Sequence, residues 1–210
     1  MSATALSVRT KALASVALVG SVAAVAGLGT FGSFTSSTSA AQPLASGTVA
    51  IALGAAGTAT NRLTIGASGL VPSDTVARAV QLTNAAGNQG LSSITLSTAA
   101  SPSSLLDTDA VNGLQLTIQS CPTAWTEAGT APAYTHTCTG TATTVLASRA
   151  VSIPAGSPVT LSGLNSLAGG GTDNLLFTET FPTAAGNALQ TQTSNVTFNL
   201  VGTQRAGTAK

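Results

Sequence analysis

A strict alternation of apolar and polar residues runs through Leu114-Gln-Leu-Thr-Ile-Gln119. Successive side chains of a β-strand point to opposite faces, so this stretch predicts a strand with one buried and one exposed face. The same period of two recurs from about residue 45 onward, between segments rich in Gly, Pro, Asn and Ser. The other apolar positions with this spacing are Val49, Ile51, Leu53, Leu63, Ile65, Val80, Leu82, Ile94, Leu96, Val159, Leu161, Leu175, Phe177, Val196, Phe198 and Leu200.

The number and length of these segments indicate the fold class. They predict eight or nine short strands with turns between them, a pattern typical of an all-β antiparallel sandwich in a single domain. Threonine often fills the outward positions, and its β-branched side chain suits a half-buried pleated surface. Helical signals after the N-terminus are limited to single turns near residues 103–107 and 184–190.

The composition excludes several classes of function. Only 6% of the 210 residues are charged, with seven basic and six acidic residues, whereas Ser and Thr together number 58. Nucleic-acid binding depends on an excess of Lys and Arg, so it is not expected here. One His and two Cys are a small supply of metal ligands, and we predict neither a metal nor any other cofactor.

The N-terminus has the order of a secretory signal. Arg9 and Lys11 precede an uncharged run over residues 12–28, which small residues follow. We predict a helical signal peptide over residues 1–33, with cleavage after residue 40 as the alternative. A retained membrane helix is the competing interpretation, because the apolar run approaches the length of a membrane span. Residues 34–46 would then form an N-terminal arm and residues 47–210 the sandwich domain, with no membrane contact after cleavage.

The two cysteines, Cys121 and Cys138, predict one disulfide in an exported chain. The segment between them contains Trp125, Tyr134 and His136, which are the sole Trp, Tyr and His of the chain. Two interpretations stay open for this segment. It is a recognition loop closed by a disulfide, or it is a long connection between strands that the disulfide stabilises because its own apolar core is small.

Several stretches resemble one known family of secreted proteins. The leader ends in Gly27-Leu-Gly-Thr-Phe-Gly-Ser-Phe34, which is similar to the signal-peptide end of the TasA/camelysin family, where a dedicated peptidase cuts before the final Phe. Ala45-Ser-Gly-Thr-Val-Ala-Ile51 resembles the first mature strand of that family, and Asn195-Val-Thr-Phe-Asn199 resembles its last. The chain looks most like the disulfide-bearing members from high-GC Gram-positive bacteria, which suits its Ala-rich composition and its use of Arg over Lys.

The resemblance implies a jelly-roll sandwich that is secreted to the extracellular matrix or cell surface of a Gram-positive bacterium. Family members form biofilm fibres in which the N-terminal segment of one subunit completes a sheet of the next. Carried over to this chain, the donor strand would include Phe34, Val49, Ile51 and Leu53. The partner would be another copy in head-to-tail order, accepted at an edge near residues 196–200, with an accessory matrix or cell-wall protein as a second candidate partner.

Three alternatives to a fibre subunit remain. Residues 47–53 could fold back into their own sandwich and give a monomer. The chain could instead be a secreted adhesive or binding domain that uses Trp125, Tyr134 and His136. Camelysin is classed as a metallopeptidase, but His136 is the sole imidazole here and no His-Glu-x-x-His motif is present. We therefore predict no catalytic site and no enzyme activity.

Overall fold

The computed structural model describes residues 35–38, 49–64 and 69–207, and for residues 35–38 it describes the backbone alone. The predicted signal-peptide helix, Phe34 and most of the predicted arm lie outside the described residues. The described part of the chain is nearly all β, as the alternating sequence predicts. Its strands in chain order are β1 (Thr35–Thr38), β2 (Ile51–Leu53), β3 (Thr75–Asn84), β4 (Leu91–Ala100), β5 (Gln115–Cys121), β6 (Thr126–Thr130), β7 (Ala133–Thr137), β8 (Thr143–Ala150), β9 (Val159–Thr160), β10 (Thr172–Thr180) and β11 (Val196–Gln204).

The strands form two large antiparallel sheets and one hairpin. One sheet has the order β1-β11-β4-β9, the second has the order β2-β3-β10-β5-β8, and β6 pairs with β7 separately. The two large sheets hold nine strands and the hairpin adds two, so the described residues form eleven strands where the sequence predicts eight or nine. The all-β sandwich class is therefore confirmed.

The core lies between the two sheets. Ile94, Leu96 and Leu200 of the four-stranded sheet share one buried cluster with the apolar residues of β3, β5 and β10. Phe177 of β10 and Phe198 of β11 meet edge to face across this core, with their ring centroids 5.1 Å apart. Burial of these alternating apolar side chains is the main stabilising contribution to such a fold.

One predicted strand is not formed as expected. Leu63 lies in a turn, outside every strand, and Ile65 lies outside the described residues. The reason is local, because the Asn61 side-chain oxygen accepts the Leu63 amide at 3.2 Å and its side-chain nitrogen donates to the Gly54 carbonyl at 3.0 Å. Such side-chain bonds compete with a strand ladder and favour a turn.

The single turns predicted near residues 103–107 and 184–190 are confirmed. Helix α1 (Leu105–Thr108) is one turn long, and Asn187–Leu189 form a 3₁₀ turn. None of the helices in residues 35–38, 49–64 and 69–207 is long and apolar enough to cross a membrane.

A buried carboxylate holds the start of α1. Asp107 is 6% exposed, and it accepts hydrogen bonds from the Ser104 amide at 2.7 Å and from the Ser103 and Ser194 hydroxyls at 2.7 and 2.5 Å. Burial by itself would raise the pKa of Asp107, but the bonds from Ser194, Ser104 and Ser103 outweigh it and hold that pKa below its ordinary value.

We expect Asp107→Ala to lower the free energy of unfolding by about 1.5–3 kcal/mol at neutral pH, the usual contribution of hydrogen bonds to a charged group. The folded-state pKa of Asp107 is depressed, so this contribution is present above about pH 4 and is lost as pH falls through the folded-state pKa. Urea unfolding at neutral pH and at about pH 2.5 measures both effects. An equal gap between wild type and variant at the two pH values would contradict the assignment to an ionised carboxylate.

Candidate functional site

The N-terminal strand lies at the edge of the four-stranded sheet. β1 pairs antiparallel with the last strand, β11, in the register Thr35 opposite Thr203 and Thr38 opposite Leu200. It covers less than half of β11, since no described strand pairs with Val196 through Asn199 on that side. Residues 35–38 belong to the segment predicted to be donated, and they lie on β11 at residues 200–203. Of the acceptor edge predicted near residues 196–200, they reach only Leu200.

The residues predicted as a donor strand are divided between several places. Ile51 is 2% exposed, and β2 pairs with β3 of the same chain in the register Ile51 opposite Asn84. Val49 and Leu53 are half-buried against the core, and Phe34 lies outside the described residues. The structure therefore shows Ile51 and Leu53 in the arrangement expected of a monomer.

The predicted disulfide is confirmed. Cys121 and Cys138 are bonded with their Cα atoms 5.7 Å apart, and the segment between them folds into the β6–β7 hairpin. Gly129 has a φ of +89°, and a Cβ there would lie 2.6 Å from the Ala133 carbonyl oxygen. The hairpin therefore requires glycine at this position.

The two faces of the hairpin differ in chemistry. Glu127 pairs with His136 and Gly129 pairs with Tyr134, so the side chains of Glu127, Tyr134 and His136 share one face. The opposite face is exposed and carries only hydroxyl and methyl groups, from Thr126, Ala128, Thr130, Ala133, Thr135 and Thr137.

An ion pair fastens the hairpin to the body. The Arg62 guanidinium donates to both carboxylate oxygens of Glu127, at 2.9 Å from Nε and 2.6 Å from Nη2. A further Arg62 hydrogen bond reaches the Gly57 carbonyl. The hydrogen bond from Arg62 is the largest cause that lowers the pKa of Glu127, so the carboxylate stays ionised well into the acidic range.

The Tyr134 ring lies between two arginines. The Arg62 Cζ atom is 4.7 Å and the Arg78 Cζ atom 5.9 Å from the ring centroid, both within the range of cation–π attraction. Arg78 is 5% exposed and donates to the Ala77 carbonyl at 2.8 Å and to the Pro132 carbonyl at the hairpin tip at 3.0 Å.

The other two residues predicted for a recognition loop also face inward. The Trp125 indole N–H donates to the Asn174 carbonyl at 2.9 Å, which ties the hairpin to β10. The His136 side chain is fully buried, and its Nε2 lies 3.5 Å from Glu127 Oε2. The structure therefore places Trp125 against β10, Tyr134 between Arg62 and Arg78, and His136 against Glu127 within the hairpin. Sequence reasoning missed Arg62 and Arg78, which precede the hairpin by many residues and carry no local signal.

Among the described residues, no group of three His, Cys, Asp or Glu side chains converges as a metal site would require. No family model matches the chain, and no curated protein is detectably similar to it. The resemblance to the TasA/camelysin family therefore remains a prediction that rests on the quoted stretches of sequence.

Proposed function

We propose that this chain is a secreted structural protein of the extracellular matrix that forms fibres by passing its N-terminal strand to the next copy. The observation that carries the proposal is the position of β1. It is an edge strand of four residues on β11, and residues 39–48 separate it from the rest of the domain. In the fibre, β1 of one copy would pair with β11 of its neighbour.

The exchange is physically feasible. Ten residues of extended chain reach about 33–36 Å, whereas a body of this size has a radius of gyration near ~15 Å. Exchanging β1 between copies replaces each pairing with an identical one, which is the low-cost basis of domain swapping. Donor and acceptor are different surfaces, so donation in one direction along successive copies extends a filament, whereas reciprocal exchange between two copies closes a dimer.

The chemistry of the surface and the cysteines supports the same proposal. The disulfide indicates an extracellular or otherwise oxidising location. The outward face of β4 and β11 alternates with the core positions. Its partly or fully exposed positions include Ser93, Thr95, Thr197, Asn199, Val201 and Thr203, none of which is charged. Subunits with so little charge repel one another weakly when they come together.

A pair of cysteine variants tests strand donation. Thr35→Cys and Thr203→Cys would be made in separate chains that begin at Phe34, mixed, and oxidised. Since Thr35 lies opposite Thr203, donation between copies predicts a disulfide-linked heterodimer on a non-reducing gel. In each single variant, the residue opposite the new cysteine in the same chain is a threonine, so no disulfide forms at this position within one chain.

The matched control combines Thr35→Cys with Thr197→Cys, which lies on the same strand but outside the β1 register. Strand donation predicts a large excess of cross-linking for the registered pair over this control. Equal yields from both mixtures, or none from the registered pair across the concentration range, would show that β1 is not donated. Filaments in negative-stain microscopy should accompany the cross-linked species.

A secreted monomeric binding domain is the second candidate, and one observation favours it. The outer face of the β6–β7 hairpin is exposed along its whole length, which leaves a flat two-stranded surface free for a partner. A monomer that fails to cross-link and loses binding to cell-wall material after Thr135→Lys would support this candidate over the fibre. His136 faces Glu127 beneath the hairpin, so neither residue projects from this surface.

A further inference from the structure

We propose that the β6–β7 hairpin is a pH-sensitive flap. Protonation of the buried His136 imidazole loosens the hairpin from the part of the β3 edge that β2 does not cover. The inference goes beyond the fibre proposal, because it concerns a different part of the molecule and holds for a monomer as well. It rests on the surroundings of His136 and on what the hairpin covers.

His136 is an unusual buried group. Its side chain is fully inaccessible, and neither Nδ1 nor Nε2 makes a hydrogen bond with the described residues. The 3.5 Å separation of Nε2 from Glu127 Oε2 is long for a hydrogen bond, so we treat this contact as electrostatic. A neutral imidazole tolerates such a site, whereas an imidazolium would lose its hydration without gaining good partners.

The charged groups around His136 would stabilise a protonated imidazole only weakly. Glu127 faces it from β6, but both carboxylate oxygens already accept hydrogen bonds from Arg62. The Arg62 and Arg78 guanidiniums bring positive charge to the same cluster, and Tyr134 is the titratable neighbour on β7. Burial lowers the pKa of His136, Glu127 opposes that shift, and Arg78 and Arg62 add to it, so the balance favours the neutral ring.

The hairpin tip closes the edge of β3. On the side of β3 that faces away from β10, β2 pairs only with residues 82–84. The loop after β2 extends this contact as far as Ala79, whose carbonyl accepts a hydrogen bond from the Arg62 amide. Beyond it, the Arg78 side chain joins the Ala77 carbonyl to the Pro132 carbonyl of the hairpin. Releasing the hairpin would uncover backbone groups near Ala77, and an uncovered edge is a template for pairing with another strand.

The sign of the pH effect follows from linkage. The folded-state pKa of His136 is depressed, so its neutral form contributes stability above the unfolded-state pKa near 6.5. That contribution is lost as pH falls below about 6.5. Glu179 of β10 faces Arg78 and acts in the opposite direction. Burial raises its pKa, so protonation in acid favours the folded state and cannot account for loosening.

Trp125 provides a direct readout, because it is the sole tryptophan and its indole is bonded to β10. The full chain with its disulfide intact would be titrated from about pH 8 to pH 5 while its fluorescence spectrum is recorded. We expect a red shift with a midpoint below about pH 6.5 in the wild type. The shift should be absent in His136→Phe and in His136→Gln, which keep a side chain at this position but cannot titrate.

Hydrogen exchange separates local release from global unfolding. After correction for the intrinsic rates, exchange of the β6 and β7 amides should rise by about tenfold for each pH unit below 6.5. At pH 5 it should therefore be up to about 30-fold faster than at pH 6.5. Amides of β10 should stay protected, and Thr135→Val, on the exposed face, should behave as the wild type. A flat titration, a shift retained in both His136 variants, or equal loss of protection in β10 would overturn the proposal.

Discussion

Phe177→Ala is expected to lower the free energy of unfolding by about 3–5 kcal/mol, the usual cost of truncating a buried aromatic residue. Phe177 is 1% exposed in the middle of β10, the central strand of the five-stranded sheet. Its ring meets Phe198 of the opposite sheet at an interplanar angle of 66°, so the substitution removes a contact between the two layers as well as the transfer energy of the ring. Urea unfolding followed by circular dichroism measures the change.

Leu105→Ala is the matched control, since Leu105 is 46% exposed and its truncation should change the free energy of unfolding by no more than about 0.5 kcal/mol. Phe177→Leu keeps an apolar side chain in the site and should lie between the two. A loss below about 1 kcal/mol for Phe177→Ala would mean that the core relaxes around the gap. The sheets would then be held mainly by the aliphatic residues around it.

The sequence predicts those strands whose two faces meet different surroundings. β5 has one face in the core, so its apolar residues alternate and the period of two is visible. β10 keeps that period at Leu175 and Phe177, although Leu176 between them is also buried. β8 escaped prediction because its two large apolar residues, Val145 and Leu146, are adjacent and no third large apolar residue extends a period of two. Its pairing with β5 shifts register near Ile118, and such irregularities break the alternation on which the prediction relies.

The hairpin and its site show a second limit of sequence reasoning. The sequence predicts the disulfide that closes the segment holding Trp125, Tyr134 and His136, and the structure shows that bond and the pairing of β6 with β7. The sequence could not identify Arg62 as the ion-pair partner of Glu127, because the two residues lie 65 positions apart. The inward positions of β6 and β7 hold Glu127, Gly129, Tyr134 and His136, and the outward ones are mostly Thr. No apolar pattern therefore marks these segments as strands.

Removing the disulfide by Cys121→Ser with Cys138→Ser is expected to lower the free energy of unfolding by about 3 kcal/mol in the chain-entropy model. The cysteines are 17 residues apart, and their bond closes the base of the β6–β7 hairpin. Urea unfolding of the double variant beside the oxidised wild type measures the loss. Reduced wild type serves as the control, since it lacks the bond but keeps both sulfur atoms and should resemble the variant.

The same variant shows whether the disulfide acts on the hairpin alone or on the whole domain. Without it, the hairpin is still tied to the body by the Arg62–Glu127 ion pair and the Trp125 indole, while strands such as β10 retain their core contacts. We therefore expect exchange of the hairpin amides to increase more than that of the β10 amides under native conditions. If both sets of amides exchange at equally increased rates, the hairpin and the sandwich unfold as one cooperative unit. In that case protonation of His136 could not release the hairpin separately, so this result would also contradict the proposed flap.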